Sequence, residues 1–168
     1  MEIERKFLVK EMPEQLEQYE RLSLEQAYLC TSPVVRVRRQ NDDYYLTYKG
    51  RGKMIREEYN LPLNRDAYEH LLEKADGNKI TKKRVKIPLA PYVVELDLFE
   101  GILAGLVIAE VEFPTKEEAL AFLPPSWLGE DVTADHRFHN SFLSGIQSSE
   151  EAAGIFGPQF PSASLQTL

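Results

Sequence analysis

The chain has one cysteine, one tryptophan, three histidines and no long apolar run in its 168 residues. A lone cysteine, Cys30, excludes an internal disulfide and is expected to be a small buried hydrophobe. His70, His136 and His139 offer no useful cluster, which removes imidazole-based metal sites. With no apolar stretch long enough for a membrane span, and no secretory core at the start, a cytoplasmic protein without a membrane partner is expected. Positive charge is also short, with 20 Lys and Arg against 27 Asp and Glu and a formal net charge of −7. That balance excludes wholesale binding to nucleic acid or anionic lipid, yet permits a locally basic cavity for an anion. No repeat of solenoid or propeller period is present.

What the chain has is alternation with a period of two, the signature of strands. Glu2, Glu4 and Lys6 share one face of the first segment, against Ile3, Phe7 and Val9, with Arg5 out of pattern. A strand is expected from Leu22 to Thr31, ended by Ser32-Pro33. Val34 to Arg39, Tyr44 to Lys49 and Met54 to Leu61 follow, separated by the turns Asn41-Asp42-Asp43 and Gly50-Arg51-Gly52. Ile80 to Ile87, Tyr92 to Phe99 and Leu106 to Phe113 complete eight strand-like segments. Glu11 to Glu20 reads as a short surface helix or turn. A helix capped by Asn64 and ended by Gly77 carries Ala67, Tyr68, Leu71 and Leu72 at helical spacing. Thr115 and Glu118 form a capping-box pair. Pro124 to Gly129 reads as a rigid surface segment anchored by Trp127, and Thr133 or Asp135 starts a last helix. A single domain over residues 1–146 is expected, with 147–168 a mostly disordered tail unless Ile155-Phe156 or Phe160 docks.

Sign is sorted along these strands. Acids gather on the first strand (Glu2, Glu4) and the last two (Glu95, Asp97, Glu110, Glu112), which become neighbours if a barrel closes. Bases concentrate between them, at Arg36, Arg38, Lys49, Arg56, Lys82, Arg84 and Lys86. An open sheet would leave this face in solvent, where mixed signs are usual; a barrel would fold it inside. Carboxylates suit Mg²⁺ and Mn²⁺, while Arg and Lys suit phosphate oxygens, so the pattern fits a polyanion carrying its metals.

The ordered motifs Glu2-x-Glu4-x-Lys6, Gln26-Ala27-Tyr28-Leu29, Val35-Arg36-Val37-Arg38, Thr47-Tyr48-Lys49-Gly50 and Arg56-Glu57-Glu58-Tyr59 resemble the CYTH superfamily, the triphosphate tunnel metalloenzymes. The likeness continues through Lys82-Lys83-Arg84, Glu95-Leu96-Asp97, Glu110-Val111-Glu112, Trp127-Leu128-Gly129 and Val132-Thr133-Ala134-Asp135. Ala27 and Val85 depart from the family's usual residues without removing charge, and bear on local packing or specificity, not on the chemistry. The resemblance implies a mainly β, α+β fold: an eight-stranded antiparallel closed barrel with helices packed outside. It implies Glu2, Glu4, Asp97, Glu110 and Glu112 as ligands for one or two Mg²⁺ or Mn²⁺ ions. Lys6, Arg36, Arg38, Lys49, Arg56, Lys82 and Arg84 would grip phosphates, with Arg137 closing one end. Water would be activated by a metal, the favoured route, or by Lys6 acting with Tyr28. Tyr28 is alternatively a core tyrosine, Glu58 and Glu95 alternatively pair with nearby bases, and Lys86 is expected in solvent. The implied activity is hydrolysis of a small triphosphate, foremost tripolyphosphate to pyrophosphate and phosphate, by a monomer or homodimer. A class IV-type adenylate cyclase, or a thiamine or nucleoside triphosphatase, is the alternative; a non-catalytic polyphosphate or nucleotide binder comes third.

Overall fold

The alternating segments form strands in the computed structural model, which describes residues 1–157. In chain order they are β1 (Glu2–Val9), β2 (Glu20–Thr31), β3 (Val34–Gln40), β4 (Asp43–Lys49), β5 (Ile55–Arg56) and β6 (Glu58–Leu63). Helix α1 (Arg65–Leu72) precedes β7 (Asp76–Leu89), β8 (Tyr92–Phe99) and β9 (Val107–Glu112). Then come α2 (Lys116–Ala121), β10 (Leu128–Asp131), α3 (Asn140–Leu143) and α4 (Ser149–Phe156). Single 3₁₀ turns occupy Leu16–Gln18, Gly101–Leu103 and His136–Phe138.

All pairings are antiparallel, in the order β10-β1-β9-β8-β7-β2-β3-β4-β6, with β5 on β1. Glu57 alone separates β5 from β6, so one extended segment joins β1 to β4 and brings the sheet's ends together into a nearly closed barrel. The expected single strand Met54 to Leu61 is therefore two, because its halves have different partners. The other strand beyond the expected eight is β10. Part of the supposed surface segment pairs with β1, Leu128 standing opposite Val9 and Asp131 opposite Phe7.

Three apolar clusters hold the barrel. Outward residues of β1, β7, β8 and β9, among them Phe7, Val85, Leu96 and Val111, pack beneath α2 around Ala119 and Phe113. Ala27 and Val37 pack beneath α1 with Tyr68, Leu71 and Leu72. The third cluster lies within one end of the barrel. There the inward faces turn apolar, at Leu8, Tyr28, Val34, Ile80, Phe99 and Ile108, and meet Phe138, Leu143, Ile146 and Ala152 of the C-terminal segment. Burying side chains of this size stabilises by about 1.5–3 kcal/mol each relative to leaving them exposed. One end of the barrel is thus filled, and the charged half is left as a cavity.

Local chemistry sets the helix ends. Asn64 accepts from the Ala67 amide at 2.8 Å, and Thr115 from the Glu118 amide at 3.1 Å. Gly77 is not the stop of α1, which ends at Leu72. It lies in β7 at φ 66°, where a Cβ would stand 2.6 Å from the Ser144 carbonyl. That close approach lets the Asn78 amide donate to Ser144 at 2.7 Å. The expected last helix is a turn capped by Asp135, then a separate α3. Within the tail expected to be mostly disordered from residue 147, the allowed exception holds for residues 149–156, which form α4: Ser148 caps it, Ala152 is fully buried, and Ile155 and Phe156 dock on the third cluster. Phe160, the other anchor considered, lies outside the described residues. Cys30 is exposed, not buried, since it falls near the β2–β3 turn, after a register irregularity that follows Tyr28. Among the described residues, no helix is long and apolar enough to cross a membrane.

Candidate active site

Residues directly opposite each other in an antiparallel pair share a face, and the register gathers the charges accordingly. On β1, Glu4 stands opposite Glu112 and Lys6 opposite Glu110; Glu95 of β8 follows, opposite Glu110. Arg84 of β7 stands opposite Asp97, and Arg36 of β3 opposite Thr47. The result is a cavity of about 180 Å³ inside the barrel. Acids reach it from Glu2, Glu4, Glu58, Glu95, Glu110 and Glu112, and bases from Lys6, Arg36, Arg38, Lys49 and Arg84. Asn60 and Asn140 complete the lining, so every side chain facing it is ionisable or an amide. Arg5, out of pattern in β1, belongs to the outer face, where it pairs with Asp131 at 2.8 Å and donates to the carbonyls of Ala119 and Phe122.

Some of these charges neutralise each other. Lys49 bridges Glu2 at 2.9 Å and Glu58 at 3.1 Å; Lys6 lies 3.4 Å from Glu110 and 3.8 Å from Glu4. Arg84 reaches Glu95 at 2.5 Å, Asp97 at 2.7 Å and Glu110 at 3.2 Å. Burial opposes the Lys6 ammonium, but Glu110 and Glu4 outweigh it and hold its pKa above the ordinary value. Lys6 therefore stays protonated, which suits gripping phosphate and not general-base work. In Glu58, burial is outweighed by hydrogen bonds and the Lys49 charge, lowering its pKa to about 2.

Across the cavity the balance is incomplete on two facing walls. Glu4 is raised by burial and then by Glu110, and Glu112 by burial and then by Glu95. Glu2 rises to about 8, by burial and then Glu4, despite Lys49. Opposite them, Arg36 and Arg38 have no acid within ion-pair distance among the described residues. Arg38 donates to Gln26 Oε1 at 2.7 and 2.9 Å, and Arg36 to Thr47 at 3.1 Å. Arg38 is lowered to about 9 by burial, then by Arg36 and Arg84. Arg36 Nε is buried with no partner among the described residues. Such an atom costs free energy unless an acceptor arrives. The acids stay raised although Lys6 and Lys49 lie among them, while the two arginines meet neutral partners.

Nine of the expected site residues line the cavity: Glu2, Glu4, Lys6, Arg36, Arg38, Lys49, Arg84, Glu110 and Glu112. Asp97 and Lys82 do not. Both are fully buried in the wall, 2.6 Å apart, and Asp97 holds Arg84 through both oxygens. Arg56 donates to the Gly50 carbonyl at 3.0 Å, outside the lining. Arg137 is exposed and closes no tunnel end; it pairs with Asp135 at 2.6 Å and reaches the Ile155 carbonyl at 3.4 Å, tying its turn to α4. Tyr28 sits in the apolar filling, accepting from Gln26 Nε2 at 3.3 Å, as its core reading anticipates. Glu58 and Glu95 pair with bases, as their alternative reading has it, and also line the cavity. Four amide and hydroxyl residues were not expected: Gln26, which orients Arg38; Thr47 and Asn60, joined at 2.6 Å; and Asn140. Gln26 and Thr47 stand within the motifs quoted above, which was the available signal.

Among the described residues, no three carboxylates or imidazoles converge as a ready metal shell. Lys6 and Arg84 stand between the acids. The donor chemistry nevertheless fits a hard divalent cation, because burial and neighbouring acids disfavour the ionised forms of Glu2, Glu4 and Glu112 despite the nearby lysines, and a bound cation would relieve that.

A barrel filled at one end and charged inside, with acids on adjoining strands facing arginines, has the charge pattern that suits a polyanion. The model of the CYTH domain family matches residues 1–137, and the chain belongs to that family. It is 38% identical over 148 residues to the inorganic triphosphatase of Nitrosomonas europaea, covering 85% of this chain and 96% of that protein. The inorganic triphosphatase of Acetivibrio thermocellus is 41% identical over 114 residues, 65% of this chain and 70% of that one. A crystal structure of an inorganic triphosphatase superposes with a TM-score of 0.66 at 35% identity, covering 88% of this chain and 97% of that chain.

Proposed function

We propose that this protein hydrolyses inorganic tripolyphosphate to pyrophosphate and phosphate with Mg²⁺ or Mn²⁺ bound. The observation that carries the reading is a cavity whose acids stay raised beside their lysines while Arg36 and Arg38 rest on neutral partners: a metal-bearing polyphosphate supplies cations to the acids and oxygens to the arginines at once. Glu2, Glu4, Glu110 and Glu112 would hold one or two ions. A divalent cation in that position neutralises charge on the phosphates and lowers the pKa of water. Arg36 and Arg38 grip the chain of phosphates, with Lys6, Lys49 and Arg84. Asp97 acts behind them as a positioning residue for Arg84. Water attacks one terminal phosphorus, the P–O bond to the bridging oxygen breaks, and that oxygen leaves on pyrophosphate. A cytoplasmic setting and a monomer or homodimer belong to the same reading and rest on composition and resemblance.

The all-polar lining favours an inorganic substrate. A second reading has its own observation. A wider depression of about 460 Å³ shares Glu95 and Glu112 with the cavity and adds Pro91, Tyr92, Val93 and Phe113, where an organic group could lie. Phosphate release with Mg²⁺ or Mn²⁺ from tripolyphosphate, pyrophosphate, ATP and thiamine triphosphate distinguishes the two, with the ATP reaction also assayed for cyclic AMP. Metal-dependent release from tripolyphosphate far above the rest is expected. Preference for an organic triphosphate, or cyclic AMP formation, would move the assignment to the second reading.

A further inference from the structure

The family match ends at Arg137, yet a residue beyond it lines the cavity: Asn140, the first residue of α3. Its side-chain orientation follows from its neighbour. Lys82 Nζ lies 3.1 Å from Asn140, and an ammonium only donates, so the amide atom facing it is Oδ1. The amide nitrogen is turned the other way. Among the described residues nothing accepts its hydrogens. Gln26 is the instructive contrast: there Arg38 takes the amide oxygen, and the nitrogen finds Tyr28.

Both supports of this amide are rigid. Lys82 is fully buried, held by Asp97 at 2.6 Å and set 5.0 Å over the Phe99 ring. The segment carrying Asn140 is fixed by the buried Leu143 and Ile146, and by Asn78, which donates to the carbonyls of Ser144 at 2.7 Å and Ile146 at 2.6 Å. A donor held from two sides, in a cavity that Arg36 and Arg38 also line, is preorganised for an anion.

We propose that Asn140 donates its side-chain N–H to a phosphate oxygen of the bound polyanion, so that the C-terminal segment completes the binding site. This rests on the tripolyphosphate reading above. Lys82, which Asn140 holds by its oxygen, acts through that amide and not on the substrate.

The test compares Asn140→Ala and Asn140→Asp in the full chain, by KM and kcat for tripolyphosphate and by thermal melting. Asn140→Ala is expected to raise KM about tenfold or more, the scale of one hydrogen bond to a charged group, with a smaller change in kcat. Asn140→Asp keeps an acceptor for Lys82 and so a melting temperature at or above that of the alanine variant. It loses the donor and turns a carboxylate toward phosphate, so its KM is expected to exceed that of the alanine variant. A merely structural asparagine gives the reverse order, aspartate milder than alanine. That order, or unchanged KM in both variants, overturns the inference while leaving the tripolyphosphate reading standing. If the wild-type chain neither hydrolyses tripolyphosphate nor binds it in a calorimeter, the tripolyphosphate reading itself falls, and this inference with it.

Discussion

Arg36 and Arg38 differ from the other bases of the cavity in having no carboxylate within ion-pair distance among the described residues. Each is positioned by a neutral group, Thr47 or Gln26, which fixes the guanidinium without cancelling its charge. Replacing Arg38 by Ala is therefore expected to weaken tripolyphosphate binding about tenfold or more in a calorimetric titration, because a charge-assisted contact is lost. Unchanged affinity would put Arg38 out of the ligand's reach. At this scale the charged positions were legible because a strand's period of two sorts them by face. The amides Gln26, Asn60 and Asn140 were not, since an amide suits a wet face or a buried one equally well. Arg137 shows the opposite failure. It has the charge to close a tunnel end, but Asp135, two residues away, captures it.

Among elements, turn chemistry and caps at Asn64 and Thr115 were legible, whereas partner choice was not. Nothing in Met54 to Leu61 marks Glu57 as the point where pairing passes from β1 to β4. In β10, four residues after a Pro-Pro pair are too few to display a period. Helix α4 was hidden by its Ser, Ala and Gly composition, although Ser148 and Glu151 have capping-box spacing and Ser148 does accept the Glu151 amide at 3.1 Å. Ala152 of α4 is fully buried against the filled end of the barrel. Ala152→Asp is expected to lower the melting temperature by roughly 5 °C or more, since an unpaired charge would be buried there. A melting curve indistinguishable from wild type would mean that residues 149–156 do not dock.

The whole molecule inverts the usual arrangement of charge. Its apolar clusters lie outside the sheet under helices and at one filled end, while six acids and five bases face one another across the interior. Inside against outside was decided by sign. Acids on β1, β8 and β9 form one continuous wall because those strands are neighbours, as their sorting along the sequence anticipated. Such a cavity costs stability. A carboxyl whose pKa is raised on folding costs stability as pH rises above its ordinary value, in full above the folded-state pKa, and a neutral amide of the same shape removes that cost. Glu4 is in this position, raised by burial and by Glu110. The most direct measurement is phosphate release from tripolyphosphate with Mg²⁺, together with the melting temperature, for Glu4→Gln and wild type side by side. The predicted result is turnover lower by about 100-fold or more, as one group that stabilises transferring charge is lost, at an unchanged or higher melting temperature. Wild-type turnover in the variant, or a fold that no longer holds without this carboxylate, would contradict a cavity charged for binding a metal-bearing polyphosphate.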